Sequence, residues 1–325
     1  MHQSTLGRVA ITGGAGFIGS HLVDACVARG AQVSVIDNLS VGRADNIAQH
    51  VRDGRVTLTR GNVLDPFLLK SALMGADVVV HLAANPDARW GLENPAIDLE
   101  LEVISTFQVL ETMRTLGINR IVLASSGTVY GDVGALAIDE AYGPCQPVSL
   151  YAAGKVAAEA FISAYSSSFG IQGLVCRFGN VIGERATHGA LFDFVNKLDQ
   201  DSRTLEVLGN GRQSKPYIEV KDLVQGLIFA VEHAEGPYDV FNIAPVGATS
   251  VATLAQTLLD ELGLTETVIR FGESDAGWPG DVPQSRMDAS KLERLGWTPR
   301  YSSDEAVREG VRDLVRSLNL RERIR

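Results

Sequence analysis

Tyr151 and Lys155 stand four residues apart in Tyr151-Ala152-Ala153-Gly154-Lys155. On a helix that spacing puts the phenol and the ammonium on one face. A nearby ammonium favours phenolate and draws a tyrosine below its ordinary ~10, which would make a general base near neutral pH. Upstream, Ala124-Ser125-Ser126-Gly127-Thr128-Val129-Tyr130-Gly131 runs off the end of a β-prone segment. Hydroxyls there would sit at the C-terminal edge of a parallel sheet, where ligands bind in open α/β folds. By themselves a Tyr-x-x-x-Lys helix face and a serine-rich turn are commonplace. They gain meaning from what precedes them.

Near the N-terminus, Thr12-Gly13-Gly14-Ala15-Gly16-Phe17-Ile18-Gly19 joins an apolar run to a helical pattern. Gly13, Gly16 and Gly19 give a tight turn, close approach of a pyrophosphate and close helix–strand packing. The N-terminus of the following helix offers N–H groups and a positive dipole end to that anion. Asp37 closes the second apolar run about twenty residues later, where a carboxylate accepts from the adenosine ribose hydroxyls. It would repel a 2′-phosphate, so NAD is expected over NADP. Arg43, close by, reads as a solvated helix-start residue. Asn62-Val63 follows the third run and suits either an adenine-facing amide or a plain turn. His81-Leu82-Ala83-Ala84 brings small residues to the sheet edge, with His81 read as a satisfied interior histidine.

These residues need a sheet edge to hold them. Val9–Thr12, Val33–Ile36, Val56–Thr59, Val78–Leu82, Ile121–Ala124 and Gly173–Arg177 are short apolar runs. Helical patterns separate them, including Phe17–Arg29, Asp98 to Leu116 and Leu150 to Phe169. Continuous apolar strands alternating with helices predict an α/β fold, a doubly wound parallel sheet covered on both faces. Beyond Asn180 the rhythm breaks. The helix Lys221–His233 and strand Val240–Ile243 still look like sheet-packing units, so the second half is expected to interleave with the first.

Composition narrows the partners. Lys+Arg 29 against Asp+Glu 39 leaves a formal charge of −10, which argues against nucleic-acid binding, since that needs a basic face. Cys26, Cys145 and Cys176 are odd in number and far apart, and are expected as reduced, buried thiols with no disulfide and no metal site. The start, Met1 to Arg8, lacks the basic-then-apolar order of a signal peptide. No apolar run reaches the ~18 residues of a membrane span. A cytoplasmic protein that meets no membrane is expected.

Together the segments Thr12–Gly19, Asp37-Asn38, His81–Ala84, Ser125–Gly131, Tyr151–Lys155 and Arg177-Phe178-Gly179-Asn180-Val181 resemble the extended short-chain dehydrogenase/reductases, in their nucleotide-sugar epimerase/dehydratase branch. Ala83-Ala84-Asn85-Pro86-Asp87, Thr187-His188-Gly189 and Gly277-Trp278-Pro279-Gly280-Asp281-Val282-Pro283 look like the archaeal-type UDP-glucose 4-epimerases. The resemblance implies a Rossmann-like NAD-binding domain over residues 1–178, with 221–245 packing back onto it. A smaller, interleaved nucleotide-sugar-binding domain is implied over 179–220 and 246–325, along with a homodimer. For NAD it implies Gly13, Gly16, Phe17, Ile18, Gly19, Asp37, Asn38, Ser40, Gly42, Asn62, Val63, Leu82, Ala83, Ala84, Tyr151, Lys155 and Phe178. Tyr151 is then the base, Lys155 its partner, and Ser126 the hydroxyl bonded to the sugar O4.

For a UDP-sugar the resemblance implies Asn85, Ser126, Gly127, Thr128, Tyr151, Asn180, Arg185, His188, Lys215, Trp278 and Asp281. Gly127 and Thr128 stand where 4,6-dehydratases carry an acidic pair, which disfavours dehydration. Lys215 and Trp278 replace arginines that relatives place on the diphosphate, and lysine lacks the two-pronged geometry. Arg185 could pair with a C6 carboxylate, so UDP-glucuronate stands beside UDP-glucose and UDP-galactose as a candidate substrate. Ser285, where tyrosine is frequent, leaves room for an N-acetyl group.

Overall fold

The computed structural model describes residues 6–324; Met1–Thr5, part of the start read above, lie outside the described residues. Strands β1 (Arg8–Thr12), β2 (Gln32–Asp37), β3 (Val56–Arg60), β4 (Val78–His81), β5 (Arg120–Ser126), β6 (Gln172–Phe178) and β7 (Tyr238–Ile243) form one seven-stranded sheet, ordered β7-β6-β5-β4-β1-β2-β3. β1 pairs in parallel with β2 and with β4, β2 with β3, and β4 with β5. The fold is the α/β, doubly wound parallel class. From β1 the chain steps outward to β3, then crosses back and grows the other way from β4. Right-handed crossovers put the helices of those two halves on opposite faces. The switch point, where such sheets bind ligands, falls between β1 and β4.

Helices α1 (Phe17–Ala28), α2 (Pro66–Leu73), α3 (Ser105–Leu116) and α4 (Leu150–Phe169) lie between these strands, and α5 (Val220–His233) precedes β7. One face of the sheet presents Ala10, Ile36, Val79, Ile121, Leu123 and Val175 to Leu69 and Leu73 of α2, Val109 and Met113 of α3, and Ala158 and Ile162 of α4. Val9, Ile11, Val33 and Val35 alternate with these and are buried as well. Burial on both faces is why the strands read as unbroken apolar runs. Residues 96–116 make one helical run, but its Leu99–Ile104 stretch is π-helical, a wider turn frequent at functional sites.

The chain divides into two compact units. The first holds residues up to Ser126, Leu150–Arg177 and Val224–Phe241; the second holds Gly127–Ser149, Phe178–Leu223 and from Asn242 onward. Residues 127–149, expected in the first domain from the sequence, group with the second unit. Ala137–Ile138 pairs in parallel with Arg286–Met287, and the Tyr130 hydroxyl donates to Asn242 Oδ1 at 2.7 Å. Those partners are distant in sequence, so no local pattern announces them. The second unit has small parallel pairs, Asn180–Ile182 with Tyr217–Glu219 and Thr204–Val207 with Val268–Phe271. It also has the helices Ala190–Gln200, Val251–Leu262 and Ser303–Ser317.

Cys26 and Cys176 are buried, whereas Cys145 is only half-buried, its thiol directed at the Tyr142 carbonyl at 3.9 Å. That corrects the expectation of three buried thiols: Cys145 sits in an irregular loop. No helix among the described residues is long and apolar enough to cross a membrane.

Candidate active site

At the first turn Gly13 has φ +71°, a left-handed conformation that glycine takes without strain. A Cβ there would also lie 2.9 Å from the Ala83 nitrogen, in the backbone leaving β4. Gly16 caps α1 without any side-chain bond, and the first turn of α1 carries no acidic residue. On Gly19 a Cβ would collide with the Gly13 carbonyl and come within 2.8 Å of Gly14 Cα. Backbone therefore packs on backbone, with Phe17 buried and Ile18 half-buried beside it.

Asp37 closes β2 against the same turn. One carboxylate oxygen accepts from Ala15 N–H at 2.9 Å and the other from Leu39 N–H at 2.8 Å. Each oxygen keeps lone-pair capacity for a further donor. A Cβ on Gly42 would stand 2.9 Å from both oxygens, so only glycine lets the chain pass here. Asn38 accepts from Ser40 N–H and Oγ at 3.0 and 2.8 Å. Across the switch point, Thr12 Oγ1 accepts from Leu82 and Ala83 N–H at 3.2 and 3.1 Å. A fixed carboxylate, a side-chain-free turn and an uncapped helix start fit the ribose and pyrophosphate of a dinucleotide. Asn62 turns its side-chain oxygen to Leu64 N–H at 3.0 Å, which favours the plain turn; Val63 beside it is buried.

The candidate catalytic residues come from β5 and α4. Ser126 ends β5 and hydrogen-bonds the Tyr151 phenol. One turn along α4, Lys155 Nζ lies 5.5 Å from the Tyr151 ring centroid and donates to the Ala124 carbonyl at 2.9 Å. Lys155 is only 4% exposed and pairs with Glu102 Oε2 at 2.7 Å. Burial alone would push its ammonium down, but Glu102 and Tyr151 outweigh this and hold it above the ordinary lysine value. For Tyr151 burial raises the phenol; Lys155 and Ser126 pull down, Glu102 and Asp98 push up, and the net is upward. This corrects the expectation of an acidified tyrosine. The sequence offered Lys155 as a lone cation, whereas the fold gives it a buried counter-ion.

Neighbouring groups are equally tied down. His81 Nδ1 meets Thr12 Oγ1 at 2.7 Å and Nε2 meets Ser105 Oγ at 3.4 Å. Burial and the Lys155 charge push it down to about 3, so it is a neutral interior histidine. Ser125 donates to Glu159 at 2.5 Å, and Glu159 takes two bonds from Arg177 at 3.0 and 2.6 Å. Asn85, expected on the sugar, is 1% exposed. Its amide donates to Asp98 Oδ1 at 2.8 Å, its backbone N–H to Glu102 Oε1 at 2.8 Å, and its oxygen accepts from Asp87 N–H.

The remaining expected sugar and diphosphate residues lie in the second unit. Lys215 and Asp281 form an ion pair at 2.7 Å, and Lys215 also reaches the Val282 carbonyl. Asp281 further accepts from Gly277 N–H at 3.0 Å. These two, expected to hold different parts of a nucleotide, hold each other. Asn180 is exposed in the strand beside Tyr217. Arg185 has φ +63°, unusual for a side chain of its size. Arg185, His188, Thr128 and Trp278 are half-buried, while Gly127 and Phe178 are buried.

Sequence reasoning missed Asp98 and Glu102. Their signal was present: with Ser105, Thr106, Val109 and Met113 they fall at i, i+4, i+7 spacing on the stripe that the run through α3 buries. An acid on a buried stripe needs a partner, and Lys155 is that partner.

The NAD dependent epimerase/dehydratase family matches residues 9–244. The chain belongs to this family. It is an NAD-dependent enzyme of the nucleotide-sugar epimerase/dehydratase kind. A UDP-glucose 4-epimerase of Mycolicibacterium smegmatis is 30% identical over 94% of this chain and 97% of its own length. UDP-glucuronic acid decarboxylase 1 of Arabidopsis thaliana is 32% identical over 95% of this chain and 69% of its own length. The crystal structure of a UDP-galactose 4-epimerase superposes with a TM-score of 0.84 at 37% identity, covering 96% of this chain and 99% of that one.

Proposed function

We propose that this chain is a UDP-hexose 4-epimerase interconverting UDP-glucose and UDP-galactose, with NAD held at the switch point. The observation that carries the reading is the Ser126–Tyr151–Lys155 cluster, combined with Gly127 and Thr128 in place of an acidic pair. When bound, NAD supplies a reversible hydride sink, so the reaction has no net redox change. Tyr151 takes the proton from the sugar O4 hydroxyl and later returns it. Ser126 orients the phenol and the O4 oxygen together. Lys155 keeps a positive charge beside the phenolate as it forms. Between proton removal and return the 4-keto sugar turns over, presenting its other face. Since Tyr151 must be deprotonated and stands above the ordinary tyrosine value, turnover on the acid side should climb as pH rises.

Proton NMR of UDP-glucose and UDP-galactose incubated with the protein, with no added reductant, should reveal inversion at C4. Tyr151→Phe should lower kcat by about 10²–10⁴ with NAD still retained, and unchanged turnover would overturn the base assignment. A stable 4-keto-6-deoxy product would move the reading to dehydratase. Arg185 supports a second substrate, UDP-glucuronate, through two-pronged pairing with a C6 carboxylate. Competitive turnover decides between them: a much larger kcat/KM for the neutral hexose removes the uronate. Carbon dioxide released from UDP-glucuronate would instead indicate a decarboxylase.

A homodimer is part of the proposal. Leu99, Ile104 and Phe107 on the helical run 96–116, with Phe169 at the end of α4, are exposed large apolar residues. A second copy covering them is the assembly that the family resemblance implies.

A further inference from the structure

We propose that Glu102 is a positioning residue of the catalytic cluster: its carboxylate is the resident counter-ion that fixes the Lys155 ammonium beside Tyr151 and sets how readily the phenol gives up its proton. The inference rests on the reading of Tyr151 as the base, and deepens it.

The site for this carboxylate is built. Glu102 and Lys155 are 2% and 4% exposed and 2.7 Å apart. The second carboxylate oxygen is held by Asn85 N–H at 2.8 Å, so Glu102 ties the backbone leaving β4 to the catalytic lysine. The acid also requires room. A Cβ on Gly154 would lie 2.7 Å from Glu102 Cβ, and one on Gly91 would collide with Asp98. Asp98, a turn before Glu102, is buried with Oδ1 bonded to Asn85 and Oδ2 lacking a hydrogen-bond partner among the described residues. Glycine at 91 and 154 thus makes space for two carboxylates against one ammonium. Replacing a buried ion pair as a whole by well-packed apolar residues is often neutral or stabilising, so stability alone does not call for the Glu102–Lys155 pair.

Charged groups from several elements of this unit enter the balance. From its own helix come Lys155 and, a turn further, Glu159, whose charge is met by Arg177 of β6. From the facing helical run come Glu102 and Asp98. His81 of β4 is neutral, and Ser126 of β5 contributes a hydrogen bond. Lys155 and Ser126 favour the phenolate; Glu102 and Asp98 oppose it. Removing the Glu102 charge while keeping its shape leaves Lys155 uncompensated and makes the phenol a stronger acid.

The test compares the full-length, NAD-containing protein with Glu102→Gln and Glu102→Asp, each also in a Tyr151→Phe background. The difference in near-ultraviolet tyrosinate absorbance between each pair isolates the Tyr151 titration. Glu102→Gln should move that titration to lower pH, with Glu102→Asp lying between it and the native protein. The acid limb of the kcat/KM profile for UDP-glucose should move the same way. An unmoved or upward-moved titration in Glu102→Gln overturns the proposal. Should that variant not fold, Glu102→Asp decides alone, and a titration matching the native one overturns it. If the titration moves as stated but no UDP-sugar is turned over, Glu102 keeps its role and the epimerase reading fails. Turnover with an unmoved titration does the opposite, removing the role of Glu102 and leaving the epimerase reading intact.

Discussion

His81 illustrates how a single buried side chain links the fold to pH. Burial, then the nearby Lys155 charge, pushes it down to about 3 from an ordinary 6.5. Between those values the unfolded chain binds a proton that the folded chain refuses. Stability is therefore full above the ordinary value and falls as pH drops toward about 3, by at most about 1.4 kcal/mol per unit. Denaturant midpoints read from about pH 7 to about pH 4 should follow that slope, and His81→Gln should flatten it by this residue's share. The histidine's interior role was legible in the sequence, because an apolar β-run surrounds it. The counter-ion of Lys155 was not, because Glu102 is 53 positions away and only the packing of two helices brings it near.

At the scale of elements, the contact between α4 and the helical run 96–116 sets two effects against each other. Alanine is a better helix former than glycine by about 1 kcal/mol, so Gly154→Ala would help an isolated α4. Against Glu102 the added methyl lies 2.7 Å from Cβ, and overpacking costs about 1–3 kcal/mol. The second effect wins, and thermal denaturation of Gly154→Ala should give a lower midpoint than the native protein. Elements themselves were largely readable. Helix Leu150–Phe169 starts and stops where its pattern predicts, and the strands differ from the apolar runs by a residue or two. Their signal is local, either a run or a period. Less visible were the π-helical turn at Leu99–Ile104, the tie of Ala137–Ile138 to Arg286–Met287, and the Lys215–Asp281 pair. Each depends on a partner that no window of neighbouring residues contains.

For the whole molecule, the exposed apolar residues of the helical run 96–116 and of α4 are the features that a second copy would cover. Ile104 is 41% exposed, and an arginine there would place a charge among apolar neighbours. Sedimentation velocity should find the native chain as a dimer and Ile104→Arg shifted toward monomer. A native chain that sediments as a monomer at every concentration would remove the homodimer from the proposal.

A chain emerging from the ribosome builds this sheet in an order that leaves its border strand until late. β7 forms the border of the sheet beside β6, yet residues 179–223 of the second unit are translated between them. Until Tyr238–Ile243 appears, β6, almost wholly buried in the finished fold, is itself the bare border and a template for unwanted strand pairing. A fragment ending near Phe178 would keep the first glycine turn, β5 and α4, yet remain sticky along that border. Solubility during synthesis is thus in the hands of a late, short segment that touches none of the chemistry.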